Sequence, residues 1–237
     1  MSSDQGSVPR EPQQCRHQQG EGRYGVPAAE RQAVSLEANI LSFELNEINP
    51  TEGGNNGNIT LELLGSHFRP DMKVFLTKNS DTIYASKLFY NSYYQVFARF
   101  SFNHIDTGYY DVGVLNFCEG EDMLSHAFHV NDNSLEDISY NMIYPASPRA
   151  NRTISMVLEF GNIGNMDIVS PIIEITSAGG SYIALSADEL SEKKQVLQIP
   201  LNIEGEPEGV LRPGKIGQIT IYGYTAGQLS FLIRRVK

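Results

Sequence analysis

The chain has 237 residues, of which 41% are hydrophobic, so it has room for two domains of ordinary size with packed cores. Its 28 acidic residues outnumber its 18 basic residues, which gives a net charge of −10, and no segment is basic. A nucleic-acid partner is therefore not expected, because binding to a phosphate backbone requires clustered Lys and Arg.

Residues 1–35 are predicted to be a disordered lead. They are rich in Gln, Arg, Glu, Gly and Pro, with almost no apolar periodicity. Residues 36–46 are more apolar and are interpreted as a lead-in strand. The chain begins without the basic and apolar stretches of a secretory signal, and it lacks the run of about 18 apolar residues that indicates a membrane span.

Residues 47–131 are predicted to form an immunoglobulin-like β-sandwich. Short segments here alternate apolar and polar residues with a period of two, which is typical of strands with one buried face. The segments are 58–65, 73–77, 82–87, 95–102, 109–116 and 127–130. Turn signals such as Arg69-Pro-Asp71 and Asp106-Thr-Gly108 separate them, as expected for a sandwich of short strands.

A second immunoglobulin-like sandwich is predicted for residues 138–237. The polar stretch 131–137 is taken as the boundary between the two domains. Six more apolar segments follow, and a helical turn is predicted at 187–190. The segments are 154–160, 172–175, 182–185, 196–201, 216–222 and 229–236. The predicted fold class is therefore all-β, with two tandem immunoglobulin-like β-sandwiches behind a disordered lead.

The boundary stretch carries the candidate metal ligands. Asp132, Asn133 and Asp137, together with Asn131 and Glu136, place several oxygen atoms at a domain junction, and Ca²⁺ takes about six to eight oxygen ligands. The competing interpretation is a solvated polar linker. It is favoured because no further carboxylate loop that could complete the ligand shell is recognisable. We therefore expect no cofactor, with Ca²⁺ as the alternative.

Tyrosines are the candidates for surface recognition. Tyr93 and Tyr94 end the stretch Asn91-Ser-Tyr-Tyr94, which is predicted to be a loop. Exposed aromatic rings can stack on a sugar or on a partner protein. The alternative is that the tyrosines cap a core and leave their hydroxyl groups in water.

No constellation of catalytic residues is recognisable, so the chain is predicted not to be an enzyme. His126 and His129 lie three residues apart on a predicted strand and are expected to point to opposite faces, which is wrong for two ligands of one metal. No nucleophile elbow or phosphate-binding glycine loop is found. With only Cys15 and Cys118, a disulfide framework is excluded, and Cys118 is predicted to be a small buried side chain.

Short motifs in each half match a known type of β domain. In the first half these are Ile48-Asn-Pro50, the turn at 53–60, the Gly-x-x-Phe element from Gly65 to Phe68, and the strands at 108–116 and 128–130. On these residues, 47–131 resemble the IPT/TIG immunoglobulin-like domain. Phe68 would anchor its loop to the core.

The second half carries Pro148-Arg149, Leu158–Asp167, Pro171–Ile175 and Leu211–Thr220. On these residues it is similar to the cell-adhesion-related (CARDB-like) β domains that follow IPT/TIG domains in large bacterial surface proteins. The resemblance implies that residues 36–46, otherwise a lead-in strand, are the end of a preceding module.

The resemblance implies a non-catalytic structural or adhesive tandem module of a surface-exposed or secreted protein. It would act as a spacer and as a protein or glycan contact surface, with neighbouring domains of a larger protein as partners. An accessory carbohydrate-binding module of a secreted hydrolase is the alternative, with Tyr93 and Tyr94 as contacts. A DNA-binding IPT/TIG domain is disfavoured, because residues 38–131 carry 5 basic and 11 acidic groups.

Overall fold

The structure, a computed structural model, describes residues 42–117, 119–146, 149–225 and 230–236. This part of the chain consists almost entirely of β-strands and connecting turns, with one short 3₁₀ helix, so the predicted all-β class is confirmed. The predicted disordered lead, the first part of the 36–46 segment and Cys118 lie outside the described residues.

The first nine strands form two sheets. They are β1 (Glu44–Asn49), β2 (Glu52–Gly54), β3 (Gly57–Ser66), β4 (Lys73–Lys78), β5 (Asp81–Tyr84), β6 (Lys87–Ser92), β7 (Gln95–Phe102), β8 (Gly108–Asn116) and β9 (Gly120–Asn131). One sheet has the order β1-β3-β7-β6 and the other β2-β9-β8-β4-β5. Neighbouring strands are antiparallel except β2 and β9, which are parallel.

The first hydrophobic core is built from the inward faces of these two sheets. Ile59, Leu61 and Leu63 alternate along β3 and are fully buried, as are Val112 and Val114 on β8. Successive side chains of a strand point to opposite faces, so the period-two pattern of the sequence decides which face is inside. Each such side chain stabilises the fold by roughly 1.5–3 kcal/mol when fully buried.

Phe68 anchors the loop after β3 in this core, as predicted. Its ring is fully buried and meets Phe43 edge-on, with the ring centroids 6.4 Å apart. Gly65 leaves the space for it, because a Cβ there would lie 2.5 Å from the Phe68 ring and 2.1 Å from the Glu44 carbonyl oxygen. The Gly-x-x-Phe spacing therefore has a packing reason.

The predicted single strand at 82–87 is wrong, because the chain crosses from one sheet to the other inside it. β5 and β6 belong to different sheets. At the crossing, the Ala85 amide donates to the Val74 carbonyl of β4, whereas the Ser86 amide donates to the Arg99 carbonyl of β7. A period-two pattern does not reveal such a switch, because alternation continues through it.

The second half also folds as strands. They are β10 (Ile138–Ile143), β11 (Arg152–Asn162), β12 (Ile168–Val169), β13 (Ile172–Ser177), β14 (Tyr182–Ala184), β15 (Val196–Pro200), β16 (Val210–Leu211), β17 (Ile216–Thr225) and β18 (Phe231–Val236). Their sheets have the orders β10-β11-β17-β14, β15-β13-β18 and β12-β16. The 3₁₀ helix, Asp188–Glu192, overlaps the predicted helical turn.

The second hydrophobic core lies within this half. Met156 and Leu158 of β11 pack with Ile173 and Ile175 of β13 in one buried cluster. Met166 does not belong to this second core. It lies in the second half of the sequence, but its buried side chain packs in the first core. The two halves therefore contact each other within one compact unit.

Candidate functional site: the inter-core contact

Two loops of the second half pack on the outer face of the β1-β3-β7-β6 sheet. One is 163–167, between β11 and β12, and the other is 201–215, which leads from β15 to β17. Thr60 and Glu62 of β3 face these loops, because they alternate with the side chains that point into the first core. We name the group formed by Thr60, Glu62, Asp167, Glu206, Arg212 and Lys215 the inter-core contact.

Arg212 occupies the centre of the inter-core contact, and its side chain is 0% exposed. Its Nη1 donates to the Asn49 carbonyl oxygen at 2.7 Å, and its Nη2 donates to a Glu62 carboxylate oxygen at 2.8 Å. Nε and Nη2 donate to the two oxygens of Glu206, and the guanidinium carbon lies 4.9 Å from the centroid of the Phe97 ring. A buried charge is costly unless it is paired and hydrogen-bonded. Here the partners come from both halves.

Lys215 completes a charge-balanced cluster of two cations and two carboxylates. Its Nζ lies 2.8 Å from Glu206 and 3.5 Å from Glu62. Burial alone would raise the pKa of Glu62, but hydrogen bonds from Arg212 and Gln95 and the charges of Arg212 and Lys215 outweigh burial. The pKa of Glu62 therefore lies below its ordinary value, and the cluster keeps this carboxylate ionised.

Asp167 is a buried carboxylate beside this cluster. Its amide donates to the Asn58 carbonyl at 2.8 Å, and the Thr60 hydroxyl donates to its Oδ2. Its Oδ1 is buried and has no hydrogen-bond partner. Burial raises the pKa of Asp167 to about 6, against the hydrogen bonds from Thr60 and the charges of Arg99 and Arg212.

Asn162 shapes the loop that presents Asp167. Its Nδ2 donates to the carbonyls of Met166 at 2.7 Å and Leu211 at 2.8 Å, and its Oδ1 accepts from the Gly164 amide at 2.9 Å. Gly164 lies so close to the linker that a Cβ there would be 2.2 Å from the Leu135 carbonyl oxygen. The loop is thus ordered by its own side chains and by the linker.

Met166 extends the same loop into the first core. Its sulfur accepts a hydrogen bond from the Gly54 amide at 3.1 Å, and a Cβ on Gly57 would lie 3.4 Å from its methyl carbon. A thioether is flexible and polarisable, so it fills an irregular space between two packed bodies. The two halves are therefore joined by the apolar side chain of Met166 as well as by the charged cluster around Arg212.

The candidate Ca²⁺ ligands Asp132, Asn133 and Asp137 lie on the linker, residues 131–137, where Asn133 and Glu136 make other contacts. The main-chain oxygen of Asn133 accepts from the Asn165 side chain at 3.0 Å, and Glu136 pairs with an arginine of β18 at 3.0 Å. Asp132 and Asp137 are exposed. In the part of the chain that the structure describes, no group of three or more His, Cys, Asp or Glu could hold a metal ion. The expectation of no cofactor, with Ca²⁺ as the alternative, stays a prediction.

Tyr93 and Tyr94 form the tip of the hairpin between β6 and β7 and are 64% and 57% exposed. Their carbonyl oxygens accept hydrogen bonds from the amides of Phe68 and Gly65, each at 3.0 Å. The Tyr93 ring meets Tyr90 edge-on, with the centroids 6.3 Å apart. Both rings are therefore presented by a fixed backbone.

The prediction that His126 and His129 point to opposite faces is wrong. The pairing of β8 and β9 shifts register, so that residues 125–127 lie opposite Asp111, and His126 adopts a φ of 53°. Both imidazole rings consequently lie near Tyr109, at 6.2 and 4.6 Å between centroids. A bulge adds residues to one strand and so breaks the period-two rule.

Comparison with known proteins gave no match, either to a protein-family model or to a curated protein. The resemblance to IPT/TIG and CARDB-like domains therefore stays a prediction. Within the described ranges, no helix is long and apolar enough to cross a membrane.

The residues of the inter-core contact were not singled out from the sequence. Arg212-Pro-Gly214 resembles an ordinary turn, and Asp167 resembles a loop residue. The available signals are weak: Arg212 directly follows the apolar pair Val210-Leu211, and Asp167 directly precedes Ile168. A charged residue beside a buried strand suggests a buried partner without indicating where that partner is.

Proposed function

We propose that the chain is a non-catalytic structural or adhesive tandem module of a surface-exposed or secreted protein, with its two cores as two tandem immunoglobulin-like sandwiches. The observation that carries this proposal is the fully buried Arg212, which binds Glu62 and Asn49 of the first half while held by Glu206 of the second. A spacer requires a fixed geometry between its modules, and this contact provides one.

Adjacent domains joined by a linker move relative to each other unless their interface is large or specifically paired. The planar guanidinium of Arg212 satisfies its donors only in one orientation relative to Glu62 and Glu206. Misalignment would leave a buried charge without its partner, which costs several kcal/mol. The contact therefore opposes bending between the cores.

The chemistry of the contact also favours a structural role. Glu62 and Glu206 are both paired with Arg212 and Lys215, so neither carboxylate is free to act as a general base. Asp167 faces Thr60 in the interior of the contact. These groups hold two surfaces together.

Small-angle X-ray scattering tests the rigid-spacer proposal. We expect the wild-type profile of residues 42–237 to fit a single arrangement of the two cores, and Arg212→Met to require a broader set of arrangements. Arg234→Met is the matched control, because the Arg234 side chain is 64% exposed and pairs with Glu174 within the second half. A wild-type profile that already needs many arrangements would contradict the proposal.

Labelling of intact source cells with an antibody against the chain tests the surface location. Labelling only after permeabilisation would contradict it.

Glycan binding is the second candidate, and the exposed hairpin tip favours it. Tyr93 and Tyr94 are held by backbone hydrogen bonds, so a sugar would meet rings that need little ordering. We expect binding on a glycan array to be lost in Tyr93→Ala and Tyr94→Ala and kept in Tyr84→Ala, whose ring is similarly exposed on β5. Absence of binding to every glycan would exclude this candidate.

A further inference from the structure

Asp167 places a buried carboxyl group, with one oxygen unpaired, inside the contact between the two cores. The residue is 1% exposed, its Oδ2 accepts from Thr60 of the other half, and its Oδ1 has no hydrogen-bond partner. A protonated carboxyl would have no buried charge to compensate, whereas the ionised form keeps a charge out of water with one oxygen unpaired. The free energy of burying this group therefore differs between its protonated and ionised forms. We call the contact closed when Asp167 is buried in it and open when Asp167 is solvated.

The charged and polar groups that act on Asp167 come from three elements: β3, β7 and the 201–215 loop. Arg99 of β7 and Arg212 of the 201–215 loop both favour its ionised form, and the Thr60 hydroxyl of β3 does so by hydrogen bonding. The carboxylates of Glu62 and Glu206 offset Arg212, because they bind its guanidinium directly. Burial outweighs these favourable interactions. The histidines of the described chain form no hydrogen bond or ion pair with Asp167.

We propose that Asp167 makes the inter-core contact pH-sensitive: the two cores are held tightly when its carboxyl group is protonated and separate more readily when it is ionised. The inference rests on the proposed function, because it concerns the rigidity of the same spacer. The module would be stiffest in mildly acidic surroundings and more compliant at neutral or alkaline pH.

The direction follows from linkage. The pKa of Asp167 is about 6 in the closed contact and 3.8 for the ordinary, solvated group. Between these values the closed state binds more protons than the open state, so closure weakens as pH rises. The opening equilibrium is expected to increase about tenfold from pH 5 to pH 8, and on the order of 100-fold over the whole titration. Glu62 has a lowered pKa and stays ionised throughout pH 5–8, so it does not contribute in this window.

Hydrogen exchange of the full chain tests the proposal, with rates corrected for the intrinsic pH dependence of exchange. The informative amides are Asp167, which donates to Asn58, and Gly54, which donates to Met166. Their protection factors should fall about tenfold between pH 5 and pH 8. Carboxyl NMR should place the midpoint of the Asp167 titration at about pH 6.

Asp167→Asn should abolish the pH dependence and keep protection high, because the amide imitates the neutral carboxyl group. Asp188→Asn, at an exposed position of the 3₁₀ helix, should behave as wild type. If Asp167→Asn does not fold, Thr60→Val serves instead. Loss of the hydroxyl that favours the ionised form should move the midpoint to higher pH, and Thr60→Ser should restore it.

The outcomes separate this inference from the proposed function. High protection that does not change between pH 5 and pH 8 would overturn the pH-sensitive contact and leave the rigid spacer intact. The same pH dependence in Asp167→Asn would also overturn it, since another group would be responsible. Low protection at every pH would overturn the rigid spacer itself.

Discussion

Arg212 shows how one buried charge can join two bodies of a chain. It is fully buried, and its partners Asn49 and Glu62 lie 163 and 150 residues away along the sequence. The net worth of a buried ion pair relative to an apolar replacement is small, but removal of one partner leaves the other unpaired and costs much more. Arg212 thus contributes mainly to the specific arrangement of the two cores, and less to their net stability.

We predict that Arg212→Met lowers the free energy of unfolding by about 3–5 kcal/mol, because it leaves Glu62 and Glu206 without their main cation. The exposed control Arg234→Met should cost less than about 1 kcal/mol. Urea denaturation of both variants measures the difference. Adding Glu62→Gln and Glu206→Gln to Arg212→Met should recover part of the loss, and equal losses in the two single variants would refute the prediction.

Within a single element, the 163–167 loop sets the geometry of the contact. Asn162 closes the loop by three hydrogen bonds, and Asn165 accepts from the Leu135 amide at 2.7 Å and so ties the linker to it. Gly164 allows the linker to approach closely. The loop and the linker therefore form one docking element, although they are separate in sequence.

We predict that Gly164→Ala weakens this docking element, since its Cβ would lie 2.2 Å from the Leu135 carbonyl oxygen and the backbone would have to shift. The cost should be roughly 1–3 kcal/mol, as for other overpacked sites. Ile163→Ala, at a neighbouring 64% exposed position, is the control and should be nearly neutral. Thermal unfolding compares the two, and a Gly164→Ala protein as stable as the control would show that the linker yields freely.

At the scale of the whole molecule, the two cores are expected to unfold together. Met166 belongs to the first core although it lies in the second half, and Arg212 links both. Disruption of either half therefore removes contacts from the other. This mutual dependence is the physical basis of a cooperative transition.

We predict that Met166→Ala destabilises the first core by about 2–5 kcal/mol, as expected for a buried large-to-small substitution. Hydrogen exchange should show lower protection in β3 and β9, far from residue 166 in sequence. The control is Met123→Ala, because Met123 is 41% exposed. A loss of protection confined to residues after 137 would contradict cooperation between the cores.

Local sequence patterns were enough to predict the all-β class, most strand positions, the inward faces of Ile59, Leu61 and Leu63, and the anchoring of Phe68 beside Gly65. These features depend on residues a few positions apart, so local alternation and turn chemistry contain them. Three other features arise only in the folded chain: the crossing between sheets at 85–86, the bulge at His126, and the contacts of Arg212 and Asp167 with β3. They depend on which strands pair and on which loops then pack on the outward face of a sheet. Residues adjacent in sequence do not indicate either. The interaction energy of two charges depends on the distance between them in space and not along the chain. A charged residue can therefore pair with a distant partner only after the sheets have formed.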